Sequence, residues 1–155
     1  MNKLTPFWDQ YRRSEIGKDA PEKPYESFAF GISSKQANEL CALVLEKAKR
    51  ATSSLLLEYQ NAGENLPTVG DRAIILNGQK QPRCIIETSD VLIQRFDEVT
   101  EDFAALEGEG DKSLAYWRAE HLKFFNAYLA DYDMEMQSDM QVVCETFFVV
   151  YQVDD

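Results

Sequence analysis

Apolar side chains recur along the chain in two periods, and the switches between them outline its elements. Leu4, Phe7, Trp8, Tyr11 and Ile16 fall near helical spacing, and Thr5-Pro6 reads as an N-cap followed by a first-turn proline. That predicts an amphipathic helix to about Glu15, followed by a polar, proline-containing connection from Gly17 to Pro24. Tyr25, Phe28 and Phe30 alternate loosely, as in a short extended segment. Ser33 or Ser34 can cap a second helix, whose stripe is Ala37, Leu40, Cys41, Val44, Leu45 and Ala48. Its expected end carries Lys47, Lys49 and Arg50, where the helix dipole is negative.

Thr52 to Leu57 changes period and predicts a strand. Further strands are expected at Arg72–Leu76, Arg83–Thr88 and Val91–Phe96, the first two joined by an Asn77-Gly78 turn. Two acidic helices are then expected, Asp97 to Leu106 and Ser113 to Ala130. The second has Leu114, Trp117, Arg118, His121, Leu122, Phe125 and Leu129 on one broad face. Between them Glu107-Gly108-Glu109-Gly110-Asp111 is too rich in glycine for helix. A β-type run from Gln141 to Val153 closes the chain. Helices and strands therefore come in blocks, which argues for an α+β fold with a mostly antiparallel, curled or closed sheet.

At 155 residues, without repeats or low-complexity linkers, the chain reads as effectively one globular domain. Residues 1–27 form an N-terminal helix and connection, and residues 28–155 form the main body. The net charge of −11 is uneven: residues 84–155 carry 17 acidic and 4 basic side chains. Such a surface repels a polyanion, which excludes a broad coat on duplex DNA and leaves room for a small basic pocket. Cys41, Cys84 and Cys144 are far apart in apolar stretches, without zinc spacing. No signal peptide and no apolar run of membrane-spanning length is visible, so the expectation is a cytoplasmic protein with reduced thiols and no membrane partner. Phosphate loops of the Walker or Rossmann kind are absent.

Three pieces could carry chemistry. Lys49 and Thr52 are three apart across a helix–strand junction, so an ammonium and a hydroxyl could converge there, although dipole compensation alone would also place lysines at that spot. Glu107, Glu109 and Asp111 sit in a glycine-rich loop and could act as acid, base or oxygen ligands to a divalent cation; a solvated acidic turn is the plainer alternative. Trp117, Arg118 and His121 are neighbours on one helix, suited to stacking on a base or gripping phosphate. Equally, Arg118 and His121 could pair with the acidic loop and be structural. His121 is the single histidine, which excludes a multi-histidine metal centre, and no metal ligand set is assigned.

Taken together, Leu43–Leu55, then Leu66-Pro67-x-Val69-Gly70-Asp71, then Phe103 through Glu107-Gly-Glu-Gly-Asp111-x-Ser113-Leu114-x-x-Trp117-Arg118-x-x-His121 resemble the ASCH domain of the PUA-like superfamily, in its longer bacterial members. The resemblance covers roughly residues 28–153. It implies a small curled β-barrel with helices at its rim and a cleft at one side, taking a nucleoside or short single-stranded RNA. Some members are similar in being ribonucleases; another branch removes the acyl group of N4-acetylcytidine. In that branch a Lys, a Thr and a Glu carry the chemistry, and they match Lys49, Thr52 and Glu109 here, with Glu107 as the alternative to Glu109. The resemblance makes Thr52 the nucleophile, Lys49 its activator and Glu109 the proton carrier. Arg50, Tyr59, Glu107, Asp111, Ser113, Trp117, Arg118 and His121 become candidate binding residues. No cofactor is implied, unless a nuclease used a divalent cation at Glu107, Glu109 or Asp111. A non-catalytic RNA or nucleotide reader is the competing expectation. The family pattern Gly-x-Lys-x-x-Thr has Lys47 in place of its glycine.

Overall fold

A computed structural model describes residues 3–153; Met1, Asn2, Asp154 and Asp155, the outer ends of the two expected segments, lie outside the described residues. Five strands form one mixed sheet in the order β1-β3-β4-β5-β2: β1 (Glu26–Phe28), β2 (Ala51–Leu55), β3 (Arg72–Leu76), β4 (Pro82–Arg95) and β5 (Gln141–Gln152). Among the described residues only the β1–β3 pair is parallel. The sheet is strongly curled into a half-barrel, and five α-helices among the described residues pack around it: α1 (Leu4–Arg13), α2 (Ser34–Leu45), α3 (Leu56–Ala62), α4 (Glu101–Glu107) and α5 (Leu114–Ala130).

Two expected strands merge into one. β4 runs unbroken through Thr88–Asp90, where Thr88 pairs Phe147 and Asp90 pairs Thr146, so Ser89 is an extra residue in a bulge. A second bulge falls between Ile85 and Ile86. Each bulge bends its strand and increases the twist, and two on the longest strand pair help to curl the sheet. The expected strand at Thr52–Leu57 stops at Leu55 instead, and α3 follows at once. Glu58 caps it by accepting the Leu55 N–H at 2.9 Å, and Gly63, left-handed at φ 66°, ends it. Three consecutive leucines fit either period, which hid this switch.

Other boundaries move by a turn. Lys3 is the N-cap of α1, so Thr5 and Pro6 lie inside its first turn, where a missing N–H costs nothing. A 3-10 turn occupies Phe96–Glu98, and α4 begins only after Thr100, whose side chain accepts from the Phe103 N–H. On α5 Trp117, Phe125 and Leu129 are buried, but Leu122 is exposed, so the apolar face is narrower than its sequence suggests.

The core has three parts. One lies between α2 and the sheet around Val44, Ile75 and Cys84; a second joins α4, α5 and β5 through Leu55, Phe96, Trp117 and Phe125. The third seats Phe7, Trp8 and Tyr11 of α1 on Ile74 and Ile85, so this helix packs on its own sheet. All three cysteines are buried free thiols. Among the described residues no helix is long and apolar enough to cross a membrane. Because Trp8 and Tyr11 are almost wholly enclosed, Trp8→Ala should cost about 3–5 kcal/mol in urea unfolding. A loss below about 1 kcal/mol would show that α1 is not part of the cooperative core.

Candidate functional site

Helix α2 does not end on the expected lysines. Lys47 stands in the left-handed region at φ 65°, its N–H bonded to the Val44 carbonyl (3.0 Å), and the Ala48 N–H reaches the Leu43 carbonyl (2.9 Å). These two bonds are the Schellman stop, whose left-handed residue is usually glycine. The glycine of the resembled pattern is thus replaced at a point where the backbone favours glycine. After this turn Lys49 leaves the helix and points inward, only 2% exposed. Its role is therefore not dipole compensation.

The acidic loop comes to meet it. α4 ends at Glu107, and Gly108 (φ 71°) presses against strand β2's entry: a Cβ there would lie 2.3 Å from the Ala48 carbonyl oxygen. The Arg50 N–H bonds the Leu106 carbonyl at 2.7 Å, fastening the two segments. The Lys49 ammonium donates to Glu109 Oε2 (2.8 Å), the Ala51 carbonyl (2.9 Å) and Glu107 Oε1 (3.2 Å), with the Glu107 carbonyl at 3.4 Å. It also lies 5.1 Å from the centre of the Phe30 ring, a cation–π arrangement.

Glu107 is saturated. Its Oε2 accepts from the Ser53 hydroxyl, from Trp117 Nε1 at 2.5 Å and from His121 Nε2 at 3.3 Å. Burial pushes this carboxyl toward its neutral form, but Lys49, His121 and Ser53 together hold it well below the usual carboxylate range. Burial likewise opposes charge on His121, yet Glu107, the Trp117 carbonyl and Glu109 raise it above its ordinary 6.5. Both ring nitrogens face acceptors, since Nδ1 is 2.8 Å from the Trp117 carbonyl. That arrangement suits an imidazolium, and the ring is stacked on Trp117 at 4.3 Å. Two cations, Lys49 and His121, thereby balance two carboxylates, Glu107 and Glu109.

This cluster forms one wall of a cleft of about 430 Å³, within the roughly 300–1,000 Å³ usual for small-molecule sites. Both edge strands of the sheet line it, β1 through Glu26 and Phe28 and β2 through Thr52, Ser53 and Ser54. The cleft is the gap where the barrel does not close. Tyr59 lies on the wall, its hydroxyl 3.0 Å from Ser54 Oγ, and burial pushes it up to about 12. Further along, loss of hydration followed by Glu145, Glu64 and Asp71 pushes Glu26 up to about 7. Glu145 is also raised, by burial, against the hydrogen bond from Thr88.

Of the candidate residues, Lys49, Thr52, Tyr59, Glu107, Glu109 and His121 line this one cleft. The others do not. Arg50 and Arg118 are exposed elsewhere, Arg118 reaching the Asp97 carbonyl at 3.3 Å. Asp111 is exposed and accepts the Ser113 N–H, while Ser113 caps α5. Trp117 is core, its indole spent on Glu107. His121, not Arg118, pairs with the acidic loop. Sequence reasoning missed Phe30, Ser53, Glu26 and Glu145; the visible signal for Glu145 was a carboxylate inside the apolar run Val142–Tyr151. Among the described residues no group of three or more His, Cys, Asp or Glu side chains could hold a metal ion.

The curled half-barrel, open at one side, matches solved ASCH-domain structures and has the PUA-like fold. The family's sequence profile matches residues 26–151, and the chain belongs to the ASCH-domain family. It is similar to an ASCH domain from Lactobacillus crispatus JV V101 at 36% identity and a TM-score of 0.87, over 98% of this chain and 97% of that one. A protein from Enterococcus faecalis V583 matches at 37% identity and a TM-score of 0.86, over 98% of this chain and 91% of that one. No curated protein matches.

Two outcomes follow from this geometry. Lys47→Gly removes a left-handed lysine and should raise unfolding stability by about 0.5–1 kcal/mol, net of glycine's entropy; a loss would mean the lysine side chain itself is holding the turn. A histidine raised by its fold contributes stability that is complete below its unfolded value of 6.5 and is lost as pH climbs through the folded value. His121→Gln should therefore flatten the fall in denaturant midpoint above about pH 6.5 relative to the parent. Identical slopes would show a neutral ring.

Proposed function

We propose that the cleft binds a small acylated nucleoside and hydrolyses its amide, as the resemblance to the N4-acetylcytidine branch implies. The observation that carries this reading is the 2.8 Å contact between Lys49 Nζ and Glu109 Oε2, on the wall of a cleft that also holds Thr52. Ammonium, carboxylate and hydroxyl are then within one ligand-sized space.

In this reading Thr52 Oγ attacks the acyl carbon. Every hydrogen-bonded neighbour of the Lys49 nitrogen is an acceptor, so Lys49 acts as a donor, turning the N–H now held by Glu109 toward the oxygen on which negative charge develops. It does not serve as a base, which is a change from the activating role the resemblance suggested. Glu109 carries a proton to the leaving amine, and Tyr59 with Phe28 offers flat surface to the base. Glu107, with all its donors fixed, holds the others in place.

The PUA-like fold is a type associated with RNA binding, and RNA is the competing ligand. Against a long strand stands the lining itself: six glutamates against Lys49, Lys123 and His121. Arg50 and Arg118, which could have gripped phosphate, are outside. A neutral, nucleoside-sized ligand fits that balance better than a polyanion does.

Purified protein should release acetate from N4-acetylcytidine, and Thr52→Val, with unchanged circular dichroism, should lower turnover by about a hundredfold or more. Equal turnover in variant and parent would remove Thr52 from the chemistry. A chelator should leave the rate unchanged; RNA cleavage that stops on chelation would instead support a metal-dependent nuclease, and salt-sensitive RNA binding without product a reader.

A further inference from the structure

With Lys49 held as a donor, the Thr52 hydroxyl needs another group to take its proton. We propose that Glu145 is that general base. The inference rests on the amide-hydrolysis reading above and adds a residue that the family motif does not contain.

The register of the sheet makes the case. Thr52 of β2 stands directly opposite Glu145 of β5, between the pairs Ala51–Thr146 and Ser53–Cys144. Directly opposed residues share one face, with Cβ atoms about 4.5–5.5 Å apart, close enough for a carboxylate to reach a hydroxyl. Both residues line the cleft. Ser53, on the opposite face, turns to Glu107 instead.

Four of the other five cleft carboxylates are occupied, Glu58 by the Leu55 N–H and Glu120 by Lys123 among them, and Glu26 stands on the opposite edge strand, which is not paired with β2. Glu107 accepts from Ser53, Trp117, His121 and Lys49, and Glu109 is bonded to Lys49 through Oε2. Glu145 is oriented by a single donor, the buried Thr88 hydroxyl, 2.9 Å from its Oε1. Its Oε2 takes no hydrogen bond among the described residues. Partial burial makes this carboxylate a stronger base than an exposed one.

The steps balance. The Thr52 proton passes to Glu145 as Oγ bonds the acyl carbon. The C–N bond then breaks, and the nitrogen receives that proton, directly from Glu145 or by way of Glu109. Water next attacks the acyl-threonine carbon and gives its proton to Glu145. The Oγ–C bond breaks, and Thr52 recovers the proton. Amide and water become carboxylic acid and amine, with no other reactant.

Glu145→Gln keeps the shape and the Thr88 bond, and should lower kcat on N4-acetylcytidine by about a hundredfold or more; Glu145→Asp, which keeps the carboxylate, should recover part of it. The groups that face Glu145 are Thr88 of β4, Asp71 ahead of β3, Glu26 of β1, Tyr25 just before it and Tyr59 of α3. The parent's rate should rise with pH through the Glu145 titration, and that acidic limb should vanish in Glu145→Gln but persist in Glu26→Gln. A merely structural Glu145 would leave the limb in place. Parent-like turnover in Glu145→Gln with loss in Thr52→Val overturns the base and leaves Thr52 standing. A parent with no turnover overturns the hydrolase reading and the base with it.

Discussion

The ion pair between Lys49 and Glu107 is the constraint on which the rest of this molecule is arranged. Both side chains are about 2% exposed or less within the fold. A buried charge is costly unless it is paired and hydrogen-bonded, and removing one partner of a buried pair typically costs about 3–5 kcal/mol. Each nearby element can be read as meeting that demand. The Schellman turn at Lys47 aims Lys49 inward; Gly108 lets the end of α4 approach Ala48; Trp117, His121 and Ser53 fill the remaining sites on Glu107. Such a cluster contributes less to stability than to geometry. It allows the Lys49 nitrogen one arrangement, beside Glu109 at the cleft wall.

The cleft has its origin in the sheet. A barrel that closed would pair β1 with β2, and the space between them would disappear. Here β1 has three residues and β2 five, and both edges face the cleft. An open edge invites pairing with other chains unless it is short or covered. These edges are short, and α2, α3 and α5 lend side chains to the same space, among them Gln36, Leu40, Glu58, Tyr59, Phe124 and Ala127. The two bulges, Ser89 on β4 and Val150 on β5, bend this strand pair and so help to curl the sheet without closing it.

Much of this was legible in the sequence, for identifiable reasons. Helices with one apolar stripe and strands bounded by turn residues showed their period, so α1, α2, α5, β3 and β5 lie close to where the pattern put them. α3 was hidden because Leu55–Leu57 satisfies both periods, and the bulged β4 because Ser89-Asp90 looks like a break. At the site, Lys49, Glu107 and Glu109 stood out by motif, while composition alone could not separate a dipole-compensating lysine from a buried one. Arg118 and His121 show the limit more sharply. They are three apart on one helix, and only a rotation of the helix, set by Trp117, Phe125 and Leu129 in the core, decides that one faces Glu107 and the other faces Asp97. Glu145 depends on a pairing across about ninety residues, which a local pattern does not contain.

The acidic second half of the chain takes on a different meaning in this light. A surplus of carboxylates on a small protein ordinarily means a solvated surface and little else. Here Glu107, Glu109, Glu120 and Glu145 come from that half and line the cleft with Glu26 and Glu58. The positive charge of Lys49 is spent on Glu107 and Glu109, and that of His121 on Glu107. What the cleft offers an incoming ligand is therefore a carboxylate-rich wall, an apolar floor of Phe28, Phe30 and Leu40, and two ammoniums already in use, Lys49 on Glu107 and Glu109 and Lys123 on Glu120. Phosphate would have to displace a carboxylate to reach either ammonium, and it would do so against the field of the remaining glutamates. A carbonyl oxygen meets no such opposition. It too must share one of the Lys49 ammonium's three occupied N–H donors, but it brings no net charge against the glutamates, and it gains most when charge develops on it during attack. The same interaction that keeps Lys49 buried thus sets it apart from a phosphate-binding lysine, and it is on this ground that we propose an acyl group as its ligand.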